Sequence, residues 1–428
     1  MKQILLVLFL FTISLKAEIQ IIKKENSDSN TTLLVIAGIH GNEPGGYFAA
    51  SILASHYTIT SKNLWIIPNL NKESIRRNKR GYHGDMNRKF SIIKKGDKDR
   101  EIIEEIKETI LSQNVSLVLN LHDGHGFYRK EDQGSIFNPN AWGQTCVIDQ
   151  CDLKTEQPFG SLNDIAITVK NNINKKLLKK HHSFNVKNTN TKYHDEAMQL
   201  SLTYFAVTNN KPAFAVETSK NLSTLTEKVF YQLLAIEEYM KIMGIDFIRN
   251  FDFNEKEISK ILNNYGTLAI NNNILLNLRD IKKSLSYIPI KSKDNVFNFS
   301  HPLGDIKKVN GKYLVFIGNK LITTLKPQYF NLTTNRREKF DLVIDSEKVS
   351  LENTSIFYVN ADFKVIKSES YRVNIIGYQS KGSKDESGNT VSLKDMNKKY
   401  SVDKQHKVYR VEFYKNDNFC SMLMVHFK

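Results

Sequence analysis

Three cysteines in 428 residues are too few for a disulfide framework, and an odd count leaves at least one thiol over. Cys146 and Cys151 are near enough in sequence to close one short loop in an oxidising compartment, but they lack the CxxC spacing of a zinc knuckle. Long apolar runs are scarce. Residues 4–15 form the only one, and it is too short to span a bilayer comfortably. It follows Lys2 and leads into Ser14-Leu15-Lys16-Ala17, the layout of a secretory signal peptide. The expectation is a leader over residues 1–17, cleaved after Ala17, and a periplasmic protein with no membrane span afterwards. Negative charge is also in deficit: 61 Lys and Arg face 45 Asp and Glu, a formal net charge of +16. The basic residues are scattered (Lys175-Lys176, Lys179-Lys180, Arg336-Arg337) and not interleaved with aromatics. A nucleic-acid groove is therefore not expected. For an exported chain an anionic wall polymer or membrane surface is the better partner. No internal repeat of fixed period appears.

The length suggests about two or three domains. From residue 32 to about 243 strand-like runs (Leu33–Ile39, Leu64–Pro68, Leu117–Leu121, Ala213–Val216) alternate with helix-like stretches (Gly46–His56, Arg100–Leu111, Leu162–Lys180, Leu225–Met243). In the second of these, Ile102, Ile103, Ile106 and Ile110 recur at helical spacing. Continuous apolar strands separated by helices predict an α/β domain with a largely parallel sheet, flanked by helices, over residues 18–250. Chemistry in such sheets sits at the carboxyl ends of the strands. Beyond Asn250 the runs shorten and turn β-like, which predicts a small β-rich domain over 251–335. A second, over 336–428, has the strand spacing of an Ig-like sandwich. The polar segment 331–339 reads as the linker between them.

The strongest chemical signal is Gly38-Ile-His-Gly-Asn-Glu-Pro-Gly-Gly46, which carries His40-x-x-Glu43 directly after the first strand. A strand-to-helix turn aims an imidazole and a carboxylate at one point, and a catalytic zinc takes three such ligands and leaves one position open. Asn120-Leu-His-Asp-Gly-His-Gly126 offers the third. His122 closes a strand and is preferred over His125, which lies further into a glycine loop; Asp123 is a candidate to orient a ligand imidazole. Pro212-Ala-Phe-Ala-Val-Glu217 ends a buried strand on a carboxylate, a costly arrangement without a task. Glu217 is the candidate general base, since the proton of an attacking water must be taken and passed on. Arg76-Arg77-Asn78-Lys79-Arg80 and Gly84-Asp85-Met86-Asn87-Arg88 supply guanidinium forks that suit a terminal carboxylate and a polarised carbonyl.

Together these motifs resemble the zinc metallocarboxypeptidase family over roughly residues 30–245. His40-x-x-Glu43, Asp85-Met86-Asn87-Arg88, His122 and Ala215-Val216-Glu217 follow its ordered signature. The resemblance implies one Zn2+ on His40, Glu43 and His122, with Glu217 as base. It implies that Asn87 and Arg88 hold the substrate's terminal carboxylate and that Arg80 stabilises the oxyanion, with Arg76 as the alternative. The chain has Asp-Met-Asn-Arg where the family usually has Asp-Leu-Asn-Arg. Its step from Glu43 to His122 is shorter than in digestive members.

A leader, a short catalytic core and two β-rich domains behind it look most like the cell-shape-determining peptidoglycan D,L-carboxypeptidases of helical bacteria. That likeness implies muropeptides as substrate and release of meso-diaminopimelate from the tripeptide. Trp142 would wall the diaminopimelate side chain, and Thr203 or Tyr204 would line the pocket. The rear domains leave room for other wall or shape proteins as partners. Two other readings stand beside this one: a deacylase of N-acyl amino acids, which uses a similar core, and a non-catalytic wall-binding scaffold.

Overall fold

The computed structural model describes residues 19–26, 29–153, 158–332, 338–380 and 382–428. The leader expected over 1–17 lies outside them, as does most of the linker. The strands Thr32–Ile36, Asn63–Ile67 and Val115–Gly124 are buried at every position. Strands that bury both faces need cover on both sides, and parallel sheets wrapped in helices supply it. These three and Ala213–Ser219 form the parallel centre of a seven-stranded sheet. Ile22–Lys24 adds an antiparallel edge on one side. On the other, Thr145–Ile148 runs antiparallel to Ala213–Ser219 and carries Asn185–Asn188 parallel to itself.

Helices follow the periodicity that predicts them. Arg100–Leu111 buries Ile103, Ile106 and Ile110 and turns its charged residues outward. Leu225–Ile242 starts at a capping box in which the Thr224 hydroxyl accepts from the Glu227 N–H and the Glu227 carboxylate accepts from Thr224. Leu162–Ile173 stops seven residues short of the sequence-based expectation. Asn174 ends it, because its side chain bonds the backbone of Phe184 in both directions, at 2.7 and 3.0 Å, and turns the chain back toward the sheet.

Behind this α/β unit lie two sheets, Thr267–Ile270 with Ile274–Asn277 and Phe297–Phe299, and a four-stranded set ending in Lys320–Tyr329. Their apolar residues join the hydrophobic cluster of the catalytic sheet. The chain ends in two four-stranded sheets packed around a separate cluster that includes Phe340, Phe363, Val411 and Phe427. The architecture is thus an α/β catalytic domain followed by β-rich units, the last a two-sheet sandwich. Cys146 is buried and Cys151 exposed, both as free thiols.

Candidate metal centre and substrate cavity

The loop that leaves Thr32–Ile36 carries His40 and Glu43 to the sheet's carboxyl edge, and Pro44 opens the next helix. Proline suits that first helical position, where its missing N–H has no partner to lose. Two glycines set how close the loop comes to its neighbours. A Cβ on Gly41 would stand 2.0 Å from the Ser74 carbonyl, and one on Gly45 2.3 Å from Asp123 Oδ1. The helix start is therefore seated directly on the ends of neighbouring elements, and Glu43 reaches across to His122.

The donor atoms of His40, Glu43 and His122 all lie within 4.8 Å of one another, and all three residues are buried. His122 Nδ1 lies 2.9 Å and His40 Nδ1 3.1 Å from the same oxygen, Glu43 Oε2. One atom tests whether this set fits a metal. His40 Nδ1 is buried and, although 3.1 Å from Glu43 Oε2, makes no well-formed hydrogen bond, while Nε2 of the same ring lies 2.8 Å from Asp85 Oδ1. With Nε2–H donating to a carboxylate, Nδ1 presents a lone pair to the point where the other two donors converge. That is the carboxylate–histidine–metal arrangement. The set fits a divalent metal, and no other group of this kind occurs among the described residues.

The partner of the ligand imidazole is thus Asp85 and not Asp123, against the sequence-based expectation. Asp123 faces the helix start. It accepts from the Gly45 N–H at 2.8 Å and from the Thr218 hydroxyl, and burial pushes its carboxyl up to about 6. Asp85 caps the short turn Met86–Arg88 by accepting from the Asn87 N–H, and takes Arg80 Nε at 2.9 Å on its other oxygen. Burial works against its ionisation, but His40 and Arg80 hold it well below the ordinary carboxylate range.

Glu217 stands beside His122 in the parallel pairing of Ala213–Ser219 with Val115–Gly124. Side chains at the same register of neighbouring parallel strands lie on one face about 4.8 Å apart, so strand order alone brings Glu217 to the metal site. Burial, reinforced by the negative charges of Glu43 and Asp123, raises the Glu217 carboxyl well above its usual range. Glu43 goes the other way: burial would raise it, yet His40 and His122 override that and hold it low. Two carboxyls in one cavity are thereby shifted in opposite directions, Glu43 down and Glu217 up.

These residues line a cavity of about 220 Å³ that also includes Arg80, Asn87, Arg88, Trp142 and Thr203. Arg80 reaches Glu43 Oε1 at 3.3 Å. Asn87 spends its side-chain oxygen on the Leu202 N–H at 3.0 Å, which leaves its amide hydrogens as the group it offers the cavity. The Arg88 guanidinium touches Asn87 O and Met198 Sδ and pairs with no carboxylate among the described residues. Arg76 is engaged elsewhere, in an ion pair with Asp305 of the β-rich unit behind. His125 lines the cavity but stays outside the metal cluster, exposed on its loop. Tyr204 is not a lining residue; it packs against the core one position beyond Thr203.

Two lysines that sequence reasoning passes over also matter here. Lys220, three residues beyond Glu217, extends to Glu43 Oε1 at 3.2 Å and adds a third cation to the cavity. Its place directly after the strand Ala213–Ser219, which carries Glu217, was the available signal. Lys187 has none. Its ammonium lies 4.5 Å from the ring centroids of both Tyr128 and Trp142 and donates to the Pro139 and Ala141 carbonyls, fixing the Trp142 loop.

Comparison with known proteins agrees with this chemistry. Residues 1–263 match the family described as the catalytic part of the carboxypeptidase controlling helical cell shape, and residues 333–428 match the C-terminal domain of metallo-carboxypeptidase. The apo Cell Shape Determinant protein Csd4 from Helicobacter pylori is 33% identical and superposes with a TM-score of 0.89, covering 96% of this chain and 100% of that one. Its tripeptide-bound form gives the same figures. The mDAP-bound form, described as a D,L-carboxypeptidase, is 33% identical with a TM-score of 0.90, over 95% of this chain and 100% of that one. A comparison with curated protein sequences finds no match.

Proposed function

The chain belongs to the family of metallocarboxypeptidases that control helical cell shape, and from that premise we propose that it is a periplasmic D,L-carboxypeptidase of peptidoglycan. It removes meso-diaminopimelate from uncrosslinked tripeptide stems and leaves the dipeptide. Residues 1–17 direct export, residues 18–250 carry catalysis, and residues 251–335 and 336–428 form the two rear domains. The solved relatives with bound tripeptide and mDAP support this substrate class.

His40, Glu43 and His122 would hold the metal, and two imidazoles with one carboxylate favour zinc. When bound, the ion supplies a Lewis acid that polarises the scissile carbonyl and acidifies water. Glu217 takes the proton of the attacking water and hands it to the departing amine of diaminopimelate. Arg80 donates to the carbonyl oxygen as its charge grows. Arg88 and Asn87 grip the terminal carboxylate, so that only the last residue of a chain is cut. Trp142, braced by Lys187, and Thr203 form the wall for the leaving side chain.

The observation that carries this reading is the unpaired Arg88 guanidinium in the same small cavity as the metal cluster and Glu217. Incubation with purified muropeptide tripeptide tests it, with mass analysis of the products. Release of free diaminopimelate is expected. Turnover of N-acyl amino acids with none on the tripeptide would make the enzyme a deacylase, and no turnover of either by the metal-loaded protein would reduce it to a scaffold.

A further inference from the structure

The catalytic cavity is not the roomiest feature of the molecule. A cleft of about 960 Å³ opens where the α/β unit, the helix Glu255–Leu262, the loop after Ile274–Asn277 and the start of Lys320–Tyr329 converge, and Lys404 of the last unit reaches its rim. Backbone bonds tie that rim together: the Lys404 N–H donates to the Asp280 carbonyl at 2.9 Å, and Lys282 N–H to Val402 O at 2.8 Å.

Its charge is one-sided. Lys260, Arg279, Lys283, Lys320 and Lys404 face only Glu257 and Asp280. Lys260 pairs with Glu257 at 3.3 Å, and Arg279 lies 3.9 Å from Asp280. Lys283, Lys320 and Lys404 form no ion pair among the described residues. Lys320 is held in the cleft by the faces of Phe48 and Tyr265, each 5.3 Å from its ammonium. Three uncompensated cations around one concavity focus a positive potential and select an anion.

A second hollow of about 270 Å³ adjoins it and shares Arg279, Asp280 and Ile281 in its lining. That hollow is lined by Ile356, Val408 and Met424 and by Asp403, whose carboxylate accepts from the N–H groups of Gln405, Lys407 and Val408, and in it Tyr358, 55% exposed, sits 5.2 Å from the ring of His426. A small anion needs only the cations. A chain of sugars whose peptide stems carry carboxylates at intervals fits both halves, since the apolar faces of sugar rings lie against aromatic rings while the stem carboxylates meet the lysines.

We propose that this cleft is a second binding site, distinct from the catalytic cavity, for an acidic glycan: the polymeric wall strand whose peptide stems the enzyme trims. The assignment rests on the proposed function for the identity of the glycan. The cleft and its charge stand independently of it. Holding the strand keeps the enzyme on its polymer between cuts and raises the concentration of stems at the cavity.

Pelleting of the full-length protein with purified peptidoglycan sacculi tests this, with saturating soluble tripeptide present to occupy the catalytic cavity. Wild-type protein should pellet, and less of it as salt rises. The exposed double variant Lys283→Glu/Lys404→Glu should lose about tenfold or more of that retention. It should keep the wild-type melting temperature and wild-type kcat/KM on soluble tripeptide. Sacculi whose carboxylates are capped as neutral amides by carbodiimide coupling should retain the wild type as poorly as intact sacculi retain the variant. Equal pelleting of variant and wild type would overturn the proposal and leave an acidic protein segment as the better occupant. Undiminished pelleting on the capped sacculi would overturn it as well. A wild type that pellets in this charge-dependent way yet releases no diaminopimelate from the tripeptide would sink the catalytic reading and not this one.

Discussion

The two concavities of this molecule solve opposite problems. The catalytic cavity is small and its metal-cluster residues are buried: His40, Glu43 and His122 are at most 4% exposed. There the low local polarisability makes each neighbour count, and the carboxyls of two glutamates in one space are shifted in opposite directions, Glu43 down and Glu217 up. The rear cleft is over four times as large, and Lys283 and Lys404 are exposed. Charges in water are screened, so no single lysine dominates and only their sum selects a ligand. The difference teaches that chemistry is concentrated in a few irreplaceable atoms, and recognition of a polymer is spread over many replaceable ones.

That contrast predicts a ranking of substitutions. The largest effect belongs to Glu217→Gln, which keeps shape but not the proton carrier. Turnover on tripeptide should fall by about 10²–10⁴-fold with metal content unchanged. Near-normal turnover with metal bound would remove Glu217 from its role. Next is Arg88→Ala, expected to raise KM steeply and cost about 2–5 kcal/mol of binding, since a desolvated carboxylate loses its charged partner. Amidating the substrate's terminus should weaken wild type by a similar amount and add little to the variant. Additive losses in that cycle would show that Arg88 holds another group.

Smaller, and specific to the metal, is Asp85→Asn. The amide no longer fixes His40 with Nε2–H toward it, so metal affinity should drop by about 10–100-fold while the fold persists. Titration with a competing chelator measures this, and an unchanged affinity would mean that the ring is held by packing alone. Smallest is Lys404→Ala in the rear cleft, which should move stability by no more than about 0.5 kcal/mol and leave tripeptide turnover untouched. A large loss of either would erase the contrast between the two sites.

A pH series probes the border between the units. His301 is pushed down to about 4 by burial, with His56 and Lys320 adding to it. A histidine kept neutral in the folded chain stabilises it above the free imidazole's range near 6.5. That contribution is lost as pH falls from there toward 4. The melting temperature should decline over that window, and less steeply in His301→Asn. Identical slopes for the two proteins would assign the decline to other groups.

Much of the fold was legible because its strands are buried on both faces and their runs are continuously apolar, as in Leu33–Ile36 and Leu117–Leu121. The metal cluster and Glu217 were legible because His40 and Glu43 follow closely on the apolar run of the first strand, and His122 and Glu217 directly follow the runs Leu117–Leu121 and Ala213–Val216, where a costly polar residue asks for an explanation. The boundary at Ile173 was not, because the residue that ends that helix does so by bonding Phe184, ten positions on. Nor was the engagement of Arg76. In sequence it and Arg80 are equivalent cations of one cluster, and only the packing of Asp305 against the first takes it away from the site.

By itself, then, the order of residues determined what each strand end carries and which donor types meet a metal, since those depend on local periodicity and on the chemistry of each side chain. Tertiary structure alone decided that Asp85 rather than Asp123 holds the ligand imidazole. Asp123 is drawn instead to the Gly45 N–H, because Gly45 has no Cβ to keep the helix start away. It alone also brought Lys187 over Trp142, and Lys404 to the rim of a cleft whose other cations lie 84 to 144 positions earlier in the chain. Contacts of that kind depend on how elements far apart in sequence come to lie against one another, and no local pattern of residues records it.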